Sequence, residues 1–140
     1  MITHDIDVLA RTIYGEARGE YSHSQGGLVA FMAVANVIMN RLKEPKKYGT
    51  SIAAVCQKPY QFSCWNSKDP NLSLIESMEP GENKLFDLTL EVASKVSKLQ
   101  WPDITGGANH YYATSMDTPP KWALGQKCIR QIGRHKFFKL

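Results

Sequence analysis

A mainly helical α+β fold with a small C-terminal β-hairpin or sheet follows from three features of the sequence. Apolar residues recur at helical spacing through long stretches of residues 5–99. The final third changes to short runs rich in aromatic and β-branched residues, separated by Gly and Pro. The length of 140 residues suffices for one domain with a core and falls short of two ordinary ones, so a single domain over residues 1–140 is expected.

The chain opens with a helix over residues 5–17, where Ile6, Leu9, Ala10, Ile13 and Ala17 form one apolar stripe. Glu16 follows Ile13 by three residues and Leu9 by seven, which puts its carboxyl at the edge of that stripe and in the last turn. Apolar surroundings and the partial negative charge of a helix C-terminus both disfavour a carboxylate, so a raised pKa is expected. A carboxyl still protonated near neutral pH can give a proton to a leaving oxygen, the role of the acid in glycoside cleavage. A Glu so placed more often caps the helix or pairs with an arginine, so the position alone does not assign the role.

Residues 18–23 interrupt the pattern, and Ser22 or Ser24 is placed to cap a second helix over residues 26–42. That helix is apolar almost all round, as a helix in the middle of a domain is. Gly26, Gly27, Ala30 and Ala33 keep one side small, so that the first helix can approach. Asn36 and Asn40, one turn apart, read as structural polar groups or as support for a catalytic centre. Residues 44–49 form a loop, Thr50 or Ser51 caps a short helix over residues 52–57, and Pro59 ends it. In Tyr60-Gln61-Phe62-Ser63-Cys64-Trp65, aromatic faces stand beside amide and hydroxyl groups, a composition that suits a sugar ring; Phe62 and Trp65 suit the core equally well.

Residues 68–80 read as loop. A third helix, over residues 82–99, buries Leu85, Leu88, Val92, Val96 and Leu99 and turns Lys84, Asp87, Glu91, Lys95 and Lys98 to solvent, before residues 101–107 turn the chain. Residues 108–114 and 128–132 are candidate strands, separated by a loop with Pro119, Pro120 and Trp122. Two strands need the helices behind them. Placed there, His110, Tyr111, Tyr112 and Trp122 complete one wall of a cleft.

The net charge of +4 is modest and the basic residues are spread along the chain, apart from Lys43, Lys46, Lys47 and the tail Arg134, Lys136 and Lys139, so no nucleic-acid partner is expected. The apolar run of the second helix is shorter than the ~18 residues that a membrane span needs, so no stable membrane insertion is expected. No positively charged start followed by an apolar stretch precedes residue 5, so retention in the cytoplasm until release is expected. Cys56, Cys64 and Cys128 are odd in number and lack metal-binding spacing; reduced thiols are expected, with a Cys56–Cys64 bridge left to geometry. His4, His23, His110 and His135 are scattered, so neither metal nor cofactor is expected.

Several chemistries compete. Cys64 could act as nucleophile with His110 or His135 as base. A two-carboxylate glycosidase needs a partner for Glu16; Glu20 is nearest but would lie on the same side of the cleft, and Asp103 and Asp117 stay open. A wall-binding module without activity is a third option. One catalytic carboxyl fits best.

Residues Leu9-Ala10-Arg11-Thr12-Ile13-Tyr14-Gly15-Glu16-Ala17-Arg18-Gly19-Glu20, then Gly26-Gly27 and Val34-Ala35-Asn36-Val37-Ile38-Met39-Asn40-Arg41, resemble the opening of the cell-wall hydrolase family that includes spore-cortex-lytic enzymes and many phage endolysins. Gln61-Phe62, Gly106-Gly107-Ala108, Tyr111-Tyr112, Trp122 and residues 132–138 continue the resemblance in order. The resemblance implies a lysozyme-like fold, a single catalytic domain over residues 1–140, and lytic transglycosylase action on bacterial peptidoglycan between N-acetylmuramic acid (MurNAc) and N-acetylglucosamine (GlcNAc). Glu16 takes the place of the family's catalytic Glu, acting as acid and then as base to give 1,6-anhydro-MurNAc ends. Gln61, Phe62, His110, Tyr111, Tyr112 and Trp122 are the expected substrate contacts. Beside these contacts, Asn40 and Glu20 are candidates for a supporting role, and Glu20 is expected to cap or orient the loop before the second helix. A monomeric phage or prophage endolysin, released to the cell wall, is the expected setting. A hydrolytic muramidase with a second carboxylate and a Cys64-dependent amidase or peptidase are the alternatives.

Overall fold

The expected mainly helical α+β architecture is present, and residues 1–21 and 27–140 are described by the computed structural model. The helices are α1 (His4–Tyr21), α2 (Leu28–Leu42), α3 (Pro45–Tyr48), α4 (Ile52–Gln57), α5 (Pro70–Ser77) and α6 (Lys84–Ser97). Strands β1 (His110–Ala113), β2 (Arg130–Ile132) and β3 (His135–Phe138) follow. Helix α1 is central, packing against α2, α4, α5 and α6. Its Leu9, Ala10, Ile13 and Ala17 are fully buried, and the larger of these contribute about 1.5–3 kcal/mol each. The Thr3 hydroxyl caps α1 by accepting from the N–H of Ile6 at 3.2 Å. No helix among the described residues is long and apolar enough to cross a membrane.

Helix α1 continues past the expected end at residue 17 to Tyr21. Gly19 does not break it, because the residues beyond find tertiary partners: Glu20 bonds Arg134, and the Tyr21 ring stacks on Phe31 at 5.0 Å. Glu16 therefore lies in the helix body, out of reach of the terminal carbonyls. The caps expected at Ser22 or Ser24 and the helix start expected at Gly26 lie outside the described residues. In α2, Ala30, Phe31, Val34, Ala35 and Ile38 join the main core, whereas Ala33 and Val37 pack with Ala108 and Phe137. Ala33 thus makes room for the sheet and not for α1. Leu28 and Val29, at the start of α2, are exposed, so this helix is not buried all round.

Residues 44–49, expected as loop, include the single turn α3, whereas α4 has its expected bounds, with Ser51 Oγ accepting from the N–H of Ala54 at 3.0 Å. Helix α5 stands where loop was expected. The Asp69 carboxylate caps it by accepting from the N–H of Asn71 at 2.8 Å, Pro70 takes the first position, and Ile75 is fully buried. In α6 the buried residues are Phe86, Thr89, Leu90, Val92, Ala93 and Val96. The large Phe86 ring goes inside in place of Leu85, which rotates the expected stripe and leaves Leu88 at its margin. Leu99 lies beyond the helix end at φ 59° and is 82% exposed.

The sheet has three antiparallel strands in the order β1-β3-β2. Its central strand, β3, was not expected from the sequence. Gly133, with φ 57°, takes the first central position of the two-residue turn between Ile132 and His135, where a positive φ lets the turn follow the strand twist. Polar side chains of α2 set the approach to β1. Asn40 Nδ2 donates to the Ala108 carbonyl at 2.8 Å and to Asp103 at 2.9 Å, Arg41 Nε donates to the Asn109 carbonyl at 2.8 Å, and Asn36 Oδ1 accepts from the N–H of Ile104 at 3.1 Å. Asn109 in turn exchanges bonds of 2.9 and 3.0 Å with the backbone of Leu140, tying the start of β1 to the end of β3.

Glu20 is expected to orient the loop before α2, which lies outside the described residues; among the described residues it holds the β2–β3 turn, accepting from the backbone N–H of Arg134 at 2.7 Å and from its Nε at 2.6 Å. Burial raises the Glu20 carboxyl, but the Arg134 N–H and guanidinium, with His135, outweigh it and hold the pKa below the ordinary 4.5. A carboxylate favoured by the fold contributes its full stabilisation above the ordinary pKa and loses it as pH falls through the lowered one. Glu20→Gln is expected to reduce the unfolding free energy by about 1–3 kcal/mol near neutral pH, with the gap narrowing as denaturant titrations move below pH 4.5. A gap constant over that range would mean that the charge on Glu20 does not hold the turn.

Candidate active site

Helix α1, the short turn Ser63–Trp65 and strand β1 converge on Glu16. Gly15 makes the approach possible, since a Cβ there would stand 2.8 Å from the Cβ and 3.0 Å from the Sγ of Cys64. With no side chain in the way, the turn closes on α1 and brings the thiol and backbone N–H of Cys64 near enough to the Glu16 carboxyl to favour its charged form. Trp65 Nε1 donates to Thr12 Oγ1 at 2.9 Å, one helical turn before Glu16, and so fixes the turn from its other end. From the sheet, the Tyr111 hydroxyl donates to Glu16 Oε1 at 2.7 Å.

Burial raises the Glu16 pKa above 4.5, outweighing the donors from Tyr111 and Cys64, which lower it, while the charge of Asp69 adds to the rise. The rise matches the sequence-based expectation, but desolvation causes it and the helix terminus does not. Burial and the neighbouring Glu16 push the Tyr111 phenol well above its ordinary range, so it stays a donor. Behind them, Arg41 is buried between the rings of Tyr48 and Phe62, with Cζ 5.1 and 5.0 Å from their centroids. Its Nη1 donates to Gln61 Oε1 at 3.1 Å. Burial lowers the Arg41 pKa, and the Tyr48, Tyr111 and Glu16 side chains oppose that. The guanidinium stays charged.

The expected substrate contacts do not form one wall. Tyr111 alone among them touches Glu16 in the described structure. Strand alternation sends its neighbours His110 and Tyr112 to the other face of the sheet, where their rings gather with Trp122 and Phe138. Burial, with Arg41 and Lys47, lowers the pKa of His110 to about 4, so the ring is neutral near pH 7. Phe62 is 2% exposed beneath Arg41 and has no surface to offer a sugar. Gln61 is exposed and held by Arg41. Asn40 bonds the backbone before β1 and does not reach the carboxyl of Glu16 in any described hydrogen bond.

None of the carboxylates weighed as a second catalytic group bonds to Glu16 in the described structure. Glu20 binds Arg134. Burial raises Asp103, but the Thr105 hydroxyl, Asn40 and the N–H groups of Thr105 and Gly107 outweigh it and lower its pKa. Asp117 is exposed on the loop after β1. Asp69, which sequence reasoning passed over, is the carboxylate whose charge acts on Glu16; its signal was the Asp-Pro start of α5. Gly15 and Arg41 were also missed as site residues, although a glycine directly before a helical acid and an arginine in an apolar helix are both legible oddities.

Cys56, Cys64 and Cys128 are free thiols, so the Cys56–Cys64 bridge is absent. Burial pushes the Cys56 thiol up to about 12 and, together with Glu16, raises Cys64 as well. A thiol held in its protonated form is a poor nucleophile. The described partners of His110 are Asn109, Tyr48 and Trp122, and His135 lies 4.9 Å from the ring of Tyr111, so neither is placed as a base for Cys64. Among the described residues no group of three or more His, Cys, Asp or Glu could hold a metal ion.

Residues 27–138 match the sequence profile of the family described as Cell Wall Hydrolase. The spore cortex-lytic enzyme of Bacillus subtilis is 33% identical over 134 residues, covering 96% of this chain and 37% of that protein. The spore cortex-lytic enzyme of Halalkalibacterium halodurans is 28% identical over 136 residues, covering 96% of this chain and 34% of that protein. The chain thus spans little more than a third of the length of these relatives. Among solved structures, the catalytic domain of the Bacillus cereus SleB protein is similar at 27% identity and a TM-score of 0.67, over 96% of this chain and 89% of that one. The catalytic domain of the germination-specific lytic transglycosylase SleB from Bacillus anthracis is similar at 25% identity and a TM-score of 0.69, over 96% and 93% respectively. The fold is lysozyme-like.

The closeness of Gly15 to Cys64 has a direct test in stability. Alanine favours a helix over glycine by about 1 kcal/mol, but the added methyl must displace a packed Cys64, and overpacking of this kind costs about 1–3 kcal/mol. Gly15→Ala is therefore expected to lower the denaturant midpoint despite its better helix propensity. A raised midpoint would show that the turn gives way freely.

Proposed function

The chain belongs to the cell wall hydrolase family, and from that premise we propose that it cleaves the glycan strand of bacterial peptidoglycan between MurNAc and GlcNAc, with Glu16 as acid and then base. The observation that carries the reading is a largely buried carboxyl, raised in pKa by desolvation and fixed by the Tyr111 hydroxyl at 2.7 Å.

Protonated Glu16 gives its proton to the glycosidic oxygen as the bond to C1 of MurNAc breaks, and the GlcNAc portion leaves as an alcohol. The same carboxylate then takes the proton of the MurNAc C6 hydroxyl, whose oxygen closes on C1 as a 1,6-anhydro ring. Proton and charge balance, and no water enters. Both halves need a carboxyl that can be protonated at the start and tolerated as an anion in between. Burial supplies the first condition. Tyr111, the Cys64 donors and the nearby charge of Arg41 supply the second. Glu20 and Asp103 are bound in structural bonds, in keeping with a mechanism that uses one carboxyl. The naming of one similar catalytic domain as a lytic transglycosylase also supports the reading.

A second reading, a hydrolytic muramidase, is favoured by Asp69, whose charge acts on Glu16; there Asp69 would activate water on the far side of C1. The endolysin setting rests on the sequence resemblance alone, whereas the relatives found are spore cortex-lytic enzymes.

Mass spectrometry of the fragments released from purified wall is expected to show anhydro ends, one water lighter than reducing MurNAc. Glu16→Gln is expected to reduce the rate at least ~100-fold, and Asp69→Asn to leave the anhydro product in place. Reducing MurNAc ends, lost in Asp69→Asn, would establish the hydrolytic reading instead.

A further inference from the structure

The turn that presents Cys64 to Glu16 also forms one side of a cavity of about 520 Å³, lined by Lys58, Tyr60, Trp65, Asn66, Ser67 and Lys68 among others. That volume lies in the range of small-ligand sites. Its position relative to Glu16 is fixed, because Trp65 is the neighbour of Cys64 and is bonded to Thr12, one turn before the acid.

The chemistry of the lining is uneven. Tyr60 is 89% exposed and is held at φ 64°, a left-handed backbone conformation that costs a bulky residue about 1–2 kcal/mol. A strained, exposed aromatic residue at a cavity is a feature that folding alone does not call for. The lysines supply positive charge, and among the described residues no acidic one lines the cavity. Lys58 Nζ donates to the Lys47 carbonyl at 2.6 Å, which holds the ammonium in place without cancelling its charge. Lys68 makes no described ion pair. Asn66 and Ser67 add neutral hydrogen-bonding groups, and the rings of Tyr60 and Trp65 add apolar surface.

An uncharged sugar would use the rings and leave the positive charge of the two lysines unmatched. We propose that the cavity binds the peptide stem carried by the lactyl group of a MurNAc residue, with its carboxylates on Lys58 and Lys68 and its aliphatic side chains against Tyr60 and Trp65. This rests on the reading of wall glycan as substrate and extends it, because the stem is the anionic part of that polymer next to the cleaved bond. The site then gives the enzyme a preference for strands that keep their stems.

The test compares kcat/KM on soluble glycan strands of matched length, with stems and after their enzymatic removal. The native chain is expected to favour the stem-bearing strands by about fivefold, the effect of a pair of exposed charge contacts. Lys58→Ala with Lys68→Ala is expected to bring the ratio towards one, and Lys68→Glu to bring it down as well. A general folding defect would lower both rates and leave the ratio unchanged, so a lowered ratio reports on the cavity itself. Equal cleavage of both strands by the native chain, or a preference kept in the lysine variants, would overturn the subsite alone. Cleavage of neither strand by the native chain would overturn the glycan reading and the subsite with it.

Discussion

The hydrogen bond from Tyr111 to Glu16 joins residues 95 apart in the chain, and much of the architecture serves to keep its two ends in register. Tyr111 belongs to a short strand of a three-stranded sheet, which would not hold its place alone. Asn40 and Arg41 fix the backbone just before the strand, Asn109 ties it to Leu140, and Glu20 binds the turn at Arg134. The last of these contacts leaves α1 one turn after Glu16. The same helix therefore holds the acid and one of the anchors of the sheet that supplies its partner.

A second constraint is electrostatic. Desolvation pushes Glu16 towards the neutral acid, and hydrogen-bond donors from Tyr111 and Cys64 pull it back. Neither influence alone would suit a group that must give up a proton and then receive one. A buried carboxyl without donors would resist ionising, whereas an exposed one would already be ionised near neutral pH. Gly15 belongs to this balance as much as the polar groups do, since any larger residue there would hold Cys64 away.

Much of the helical layer was legible because burial leaves a periodic trace. The stripe of α1 and the apolar body of α2 follow from spacing, and Ser51 marks the start of α4 through cap chemistry. Helix α5 was not legible: its eight residues span too few turns to show a period, and its Asp-Pro start reads equally well as a turn. Strand β3 was missed because His135-Lys136-Phe137-Phe138 is short and mixed, and its strand character comes from partners on both sides. Glycine misled once, at Gly19, where tertiary contacts of Glu20 and Tyr21 outweigh the local penalty. Glu16 was legible as a candidate acid only when its place on the apolar stripe was joined to the ordered family motifs. Its setting was not, because Cys64, Tyr111 and Asp69 come from distant segments. One error was avoidable from the sequence: adjacent strand residues face opposite ways, so His110, Tyr111 and Tyr112 could not share a wall.

The protonation of Glu16 in the free protein is the central claim, and carbon-13 NMR titration of the glutamate side-chain carboxyls measures it without reference to any substrate. With the resonance assigned through Glu16→Gln, the Glu16 carboxyl is expected to titrate above the ordinary value of 4.5. It should titrate higher still in Tyr111→Phe, because the lost hydroxyl is a donor that favours the charged form. A Glu16 carboxyl that titrates at or below the ordinary value, or one that moves downward in Tyr111→Phe, would contradict the assignment of this residue as the acid.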